Sequence, residues 1–267
     1  MKPSSILVIV AVGLAAMAGA PSASAQAPNL SGVWLVDNSI GGPQGGKMTQ
    51  WMRQDPPFTP EGLAKFNANK PGKGPRQAPP AFGNDPLGDA NPPGLLRTLV
   101  YFRPIDIIQL PDRIVQLFEY AHFWRTIWTD GRAVPEDPGP YWYGYSVGKW
   151  EGDSLVVQTV GLDARAWMDE WGTPFSDDTT ITERWRKVDA NTMQLTITVN
   201  DPRTFTKPWT SDVRTLKLQP KGSSNGELLE VFCADRREGV QRSRPRPGRR
   251  TSHVTRRFRA SPAAIRA

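Results

Sequence analysis

Residues 141–162 read YWYGYSVGKWEGDSLVVQTVGL, and this stretch decides the fold. Residues 145–150 suit one strand, Glu151-Gly152-Asp153 a tight polar connection, and residues 154–160, alternating and β-branched, a second strand. The stretch reads as a β-hairpin. It also contains Gly144-Tyr145-Ser146-Val147-Gly148, which matches the G-x-S-x-G of a nucleophile elbow. An elbow needs a sharp strand-to-helix turn, whose helix start helps supply an oxyanion hole, and a His and an acid later in the chain. Here a second strand follows Gly148, and the one downstream His is His253, among arginines. The glycines are therefore read as close backbone approach or a bulge beside the bulky Tyr143, Tyr145 and Trp150.

Similar short runs flank the hairpin. Residues 105–110, 113–120 and 123–128 are apolar or alternating, with Pro111-Asp112 between the first two and the turn signal Asp130-Gly131 after the third. Residues 179–188 and 193–200 flank Asp189-Ala190-Asn191-Thr192, and residues 213–218 and 228–233 continue the series. Residues 29–36 read as a turn entering a first strand, with Gly32-x-Trp34 similar to the G-x-W of lipocalin-like barrels, where the Trp closes the barrel end. Many short strands with little helical periodicity predict an all-β fold, an antiparallel meander closed as a lipocalin-like barrel with long loops. Thr59 and Pro60 predict a short helix over residues 60–66, with Thr59 as N-cap. Residues 71–93, dense in Pro and Gly, predict an irregular surface excursion. Residues 163–178, which carry Trp167 and Trp171, interrupt the meander and are expected to cover one mouth.

The ends read differently from the body. Lys2, the apolar run 6–17 and Ala23-Ser24-Ala25 form a signal peptide over residues 1–25, which predicts a periplasmic or secreted protein. No stretch approaches the roughly 20 apolar residues of a transmembrane segment. Residues 26–235 then form a single β-barrel domain, of which 26–96 are an irregular Pro/Gly-rich part. Residues 236–267 hold eleven Arg and one Glu, or +10 against the chain's +7, which leaves −3 on residues 1–235. The basicity is that of an Arg-rich tail, interrupted by Pro and poor in aromatics, which predicts disorder and weak contact with anionic surfaces at most, with no nucleic-acid role. Cys233 is the single cysteine, so no intramolecular disulfide forms, and its apolar neighbours make it an inert strand residue.

Candidate chemistry is sparse. His122 is the one histidine of the body, between Glu119 and Arg125; on a continuous strand Glu119 and Arg125 share a face and His122 takes the other. With one His and one Cys in the body a zinc site cannot be assembled, and no phosphate-binding or dinucleotide motif occurs, so no metal or cofactor is assigned. Asp163, Asp169, Glu170, Asp177 and Asp178 are the one oxygen-rich set that calcium would use. Trp is abundant, and Trp124, Trp142, Trp150, Trp167 and Trp209 are candidate ligand-binding residues for an aromatic-lined cavity.

The chain resembles a widespread family of exported, largely uncharacterised bacterial β-barrel proteins. The resemblance spans residues 92–233 and rests on Asp130-Gly131-Arg132 and on the motif from Gly144 to Val157, GxSxGxWEGDxLVV. It also rests on Trp167-x-Asp169, Gly172-x-Pro174, Glu183-Arg184, Asp201-Pro202 and Lys207-Pro208-Trp209. It implies a lipocalin-like or related barrel and no settled activity. Relatives often carry His where this chain has Val134, Phe175 and Thr180, and a Cys near Ala90 that could pair with the one matching Cys233; what stays in place here is His122, Arg125, Trp167, Asp169 and Glu183.

Taken together, these features predict an exported binding protein for an apolar or aromatic small molecule, its barrel mouth capped by residues 163–178. The alternative is a cofactor-independent hydrolase, lyase or isomerase. It would use His122 as acid or base, Asp169 or Glu183 as its partner, and Arg125 as an anion contact.

Overall fold

The computed structural model describes residues 27–37, 56–101 and 103–230. Residues 1–25, read as a signal peptide, the Arg-rich residues 236–267 and Cys233 lie outside the described residues. The strands are β1 (Gly32–Val36), β2 (Ile105–Gln109), β3 (Arg113–Phe118), β4 (Trp124–Trp128), β5 (Tyr145–Glu151), β6 (Ser154–Val160), β7 (Thr180–Lys187), β8 (Thr192–Asn200), β9 (Trp209–Thr210) and β10 (Arg214–Leu218). They bond in the order β10-β1-β2-β3-β4-β5-β6-β7-β8-β9, and β10 also pairs with β8, which closes a nine-strand barrel. The two-residue β9 lies further along β8, beside Thr198 and Val199. The all-β barrel expected from the sequence is the fold this chain adopts.

One pairing departs from a pure antiparallel meander. β4 and β5 run parallel, with Ile127 opposite Ser146 and Trp128 opposite Val147. Parallel neighbours need a crossover rather than a two-residue turn, and residues 129–144 supply it. The Asp130-Gly131 turn is present, with Gly131 at φ 85°, but it opens this crossover instead of a hairpin.

Alternation sets the core. Inward positions include Trp34, Ile107, Ile127, Val157, Ile181 and Trp185, all buried. Each such side chain contributes roughly 1.5–3 kcal/mol when fully buried. The central hairpin turns at Gly152, φ 62°, with Glu151 opposite Ser154. Gly148 faces inward, and a Cβ there would lie 2.8 Å from Ile127 Cγ2, so the interior volume requires glycine. Ser146, two residues earlier, is 2% exposed and pairs with Thr159 Oγ1 at 2.8 Å. The G-x-S-x-G run is thus a strand whose serine faces the core, with no helix after it.

The barrel's two ends close differently. At one, the Trp34 indole donates to Leu30 O at 2.8 Å, and both residues are buried. At the other, α2 (Leu95–Val100) inserts with all six residues buried, and Thr98 Oγ1 meets Tyr143 OH at 2.9 Å. This helix departs from the sequence reading, which ran the irregular part through residue 96; six mostly apolar residues show no period by which to identify them. The predicted helix is present as α1 (Pro60–Ala68), where the Thr59 side chain accepts from Gly62 N at 3.0 Å. Residues 71–93 hold two short 3-10 turns, Pro80–Phe82 and Pro86–Asp89. Residues 228–230, read as the start of a strand, are irregular. No helix among the described residues is long and apolar enough to cross a membrane.

Candidate functional site

Two of the four expected catalytic residues meet. Arg125 shares inward parity on β4 with Ile127, and Glu183 shares it on β7 with Ile181 and Trp185. Arg125 Nη1 donates to Glu183 Oε1 at 2.7 Å and Nη2 to Oε2 at 2.5 Å, while Arg125 Nε donates to Gln116 Oε1 at 2.7 Å. Trp185 Nε1 adds a bond to Glu183 Oε2 at 3.0 Å. The two ionic side chains are 2% and 0% exposed. This is a sealed and well-bonded network inside the barrel, with no exposed face for a substrate.

Asp169 and His122 stand elsewhere. Asp169 is buried in the segment 163–178, where its carboxylate accepts from Trp171 N at 2.9 Å, Thr173 N at 3.1 Å and Thr173 Oγ1 at 2.7 Å. Burial pushes its carboxyl above the usual range in spite of those donors. These bonds fold the segment on itself. His122 is exposed in the 3-10 turn Tyr120–His122 between β3 and β4, with Ala121 at φ 60° and His122 at φ 53°. The strand is therefore broken where the sequence allowed a continuous one.

The candidate tryptophans are likewise dispersed. Trp124 is 64% exposed on the outer wall, while Trp167 and Trp209 are each 5% exposed. Trp142 and Trp150 are half-buried against the core, and Arg165 lies 4.7 Å from the centre of the Trp142 ring. The outward Trp124 is thus set apart from the buried Trp167 and Trp209. Trp142, whose carbonyl accepts from Leu95 N at 3.1 Å, and Trp167, near Gly172, belong to the end closed by α2.

That end holds a polar cluster that the sequence reading missed. Arg97, on α2, is 3% exposed and binds Asp85 through two bonds of 2.7 Å. Burial opposes its charge, but Asp85 more than offsets this, so the guanidinium pKa is raised. Just beyond α2, Tyr101 donates its hydroxyl to Glu170 Oε1, which also accepts from Lys73 Nζ at 2.9 Å. Burial pushes the Tyr101 phenol up against the opposing charge of Arg97, and Tyr120 and Glu170 add to the rise. Tyr101 stacks on Tyr120 at 4.3 Å between centroids, and both rings are half-buried. Residues 69–76 clasp the cap above: Asn69 Nδ2 donates to Gly172 O at 2.8 Å and Arg76 Nη2 to Trp171 O at 2.7 Å. The sequence did hold one signal, since Arg97 interrupts the apolar run LLRTLV and an arginine there needs a buried partner.

The other acidic residues are separately engaged. Asp163 binds Arg165 at 2.5 Å and Asp178 binds Arg203 at 3.5 Å. A recess of about 430 Å³ between residues 136–140, 160–162 and 177–180 carries Glu136, Asp137, Asp177 and Asp178, and none of the expected catalytic or tryptophan residues line it. Among the described residues no group of three or more His, Cys, Asp or Glu is disposed to hold a metal ion. No family model, curated protein or solved structure matches the chain.

Proposed function

We propose that this chain is an exported, lipocalin-like binding protein for an apolar or aromatic small molecule, and that the ligand sits at the α2-capped end rather than at the barrel centre. The observation that carries this reading is the convergence of Tyr101, Glu170 and Lys73 beside the Tyr101–Tyr120 stack. Small-molecule sites join apolar walls to a few convergent polar groups, and here the rings supply the wall and Glu170 the acceptor for a ligand hydroxyl or N–H. The centre is the poorer place because the bonded and buried Arg125, Glu183 and Trp185 fill it. Membership of the exported barrel family rests on the motif from Gly144 to Val157, and a periplasmic or secreted location on the leader sequence.

The enzymatic alternative, a hydrolase, lyase or isomerase, has less support. Arg125 and Glu183 satisfy each other, and Asp169 is spent within its own loop. The test is a titration of tryptophan fluorescence with phenolic, terpenoid and sugar ligands. A saturable response to a hydroxylated aromatic, weakened at least about tenfold by Glu170→Gln, is the expected result, since a hydrogen bond to a charged group is worth about 1.5–3 kcal/mol. No response from any class would leave the reading without support.

A further inference from the structure

The outer wall of β1–β4 carries apolar side chains in adjoining rows, interrupted by Asp106 and Thr126. Val33, Asp106, Leu117 and Trp124 stand opposite one another in one row, and Ile108, Val115 and Thr126 in the next. Ile108 is 41% and Trp124 64% exposed. Glu119 follows β3 directly, at the end of this face, and opens the 3-10 turn with a helical backbone (φ −59°, ψ −38°); its N–H reaches Pro104 O at 3.1 Å. Its side chain is nevertheless 0% exposed. A carboxylate just past the end of a strand is buried only by what packs against it. Its contacts are Arg103 Nη1 at 3.6 Å and the backbone N–H of Leu229, which donates to Oε2 at 3.1 Å.

Residues 228–230 thus reach the barrel at the edge of the apolar face. The chain continues as Val231-Phe232-Cys233, completing the run LLEVFC, whose composition suits an extended segment on an apolar surface. We propose that the outer face of β1–β4 is the docking surface for the chain's own residues 229–233, entered at Glu119. Four extended residues beyond Leu229 reach about 13 Å, which is the length of strand from Glu119 back to Val115. The segment covers apolar surface that the closed barrel otherwise leaves to solvent, and Glu119 fixes where it enters.

Cys233 is the chain's single cysteine, which makes the proposal directly testable in the full-length protein. Ile108→Cys and Val115→Cys each allow one intramolecular disulfide, which forms only when the two Cα atoms come within about 7 Å. Mild oxidation is expected to close it within the monomer in at least one of the two, read as loss of free thiol and a faster-running band without reductant. Thr182→Cys, on the outer face of β7, is expected to stay reduced. Failure at both face positions overturns the proposal, and so does exclusive formation of linked dimers, which assigns the face to a second copy. In the unaltered protein, Cys233 is expected to react with a thiol reagent about tenfold more slowly when folded than in denaturant. Equal rates would also overturn it.

Discussion

Arg125 on β4 and Glu183 on β7 join across the barrel interior through two bonds, 2.7 and 2.5 Å long. Two strands separate them in the wall, and the side chain absent at Gly148 on the intervening β5 is part of what leaves room inside. Gln116 and Trp185 complete the donors and acceptors around them.

A buried ion pair is fragile to one-sided change. Removing one partner leaves a buried charge uncompensated, so Glu183→Ala or Arg125→Ala is expected to cost about 3–5 kcal/mol in urea unfolding. The double substitution Arg125→Met with Glu183→Leu is expected to lie much closer to the parent, because two apolar side chains need no partner. Arg125→Lys should fail to restore stability, since an ammonium cannot supply the paired donors of guanidinium. Additive losses in the double variant would contradict this account of the pair.

Two buried aspartates predict opposite pH trends. Burial opposes the charge of Asp201, but bonds from Ser176 N and Oγ, each 2.7 Å, and from Thr179 Oγ1 at 2.9 Å hold its carboxyl below the usual range. Its stabilisation is present above the unfolded value, about 3.9, and is lost as pH falls through the folded one. Asp169 is raised by burial, so its contribution is full below about 3.9 and is lost as pH rises through its folded value. Relative to the parent, Asp201→Asn should therefore be most destabilising near neutrality and less so in acid. Asp169→Asn should compare more favourably near neutrality than in acid. Urea midpoints from pH 3 to pH 7 check both signs.

The hairpin serine is expected to be inert. Ser146 is 2% exposed and bonded to Thr159, so a fluorophosphonate probe should leave the folded protein unlabelled. Gly148→Ala should cost about 1–3 kcal/mol, because its Cβ would press on Ile127 and Leu155. Labelling of Ser146 under native conditions would reopen the hydrolase reading.

The strands were legible because their residues alternate, and the start of α1 because Thr59 and Pro60 form a local signal. Residues 95–100 were not, since an all-buried helix shows no polar face, and neither was the parallel β4–β5 pair, because Asp130-Gly131 looks locally like a hairpin turn. Arg125 and Glu183 could each have been placed indoors by parity with Ile127 and Ile181. Their contact depends on barrel closure, which no local spacing carries. Tyr101, Glu170 and Lys73 come from three separate segments and converge only once α2 and residues 163–178 close the same end.

The most direct test of where the ligand sits compares two double variants in one calorimetric titration with a hydroxylated aromatic that the parent binds. Tyr101→Phe with Glu170→Gln alters the capped end, and Arg125→Met with Glu183→Leu alters the centre. A site at the capped end predicts that the first variant loses at least about tenfold in affinity while the second stays within about threefold of the parent. Unchanged binding by the first and lost binding by the second would place the ligand in the barrel centre and contradict the account.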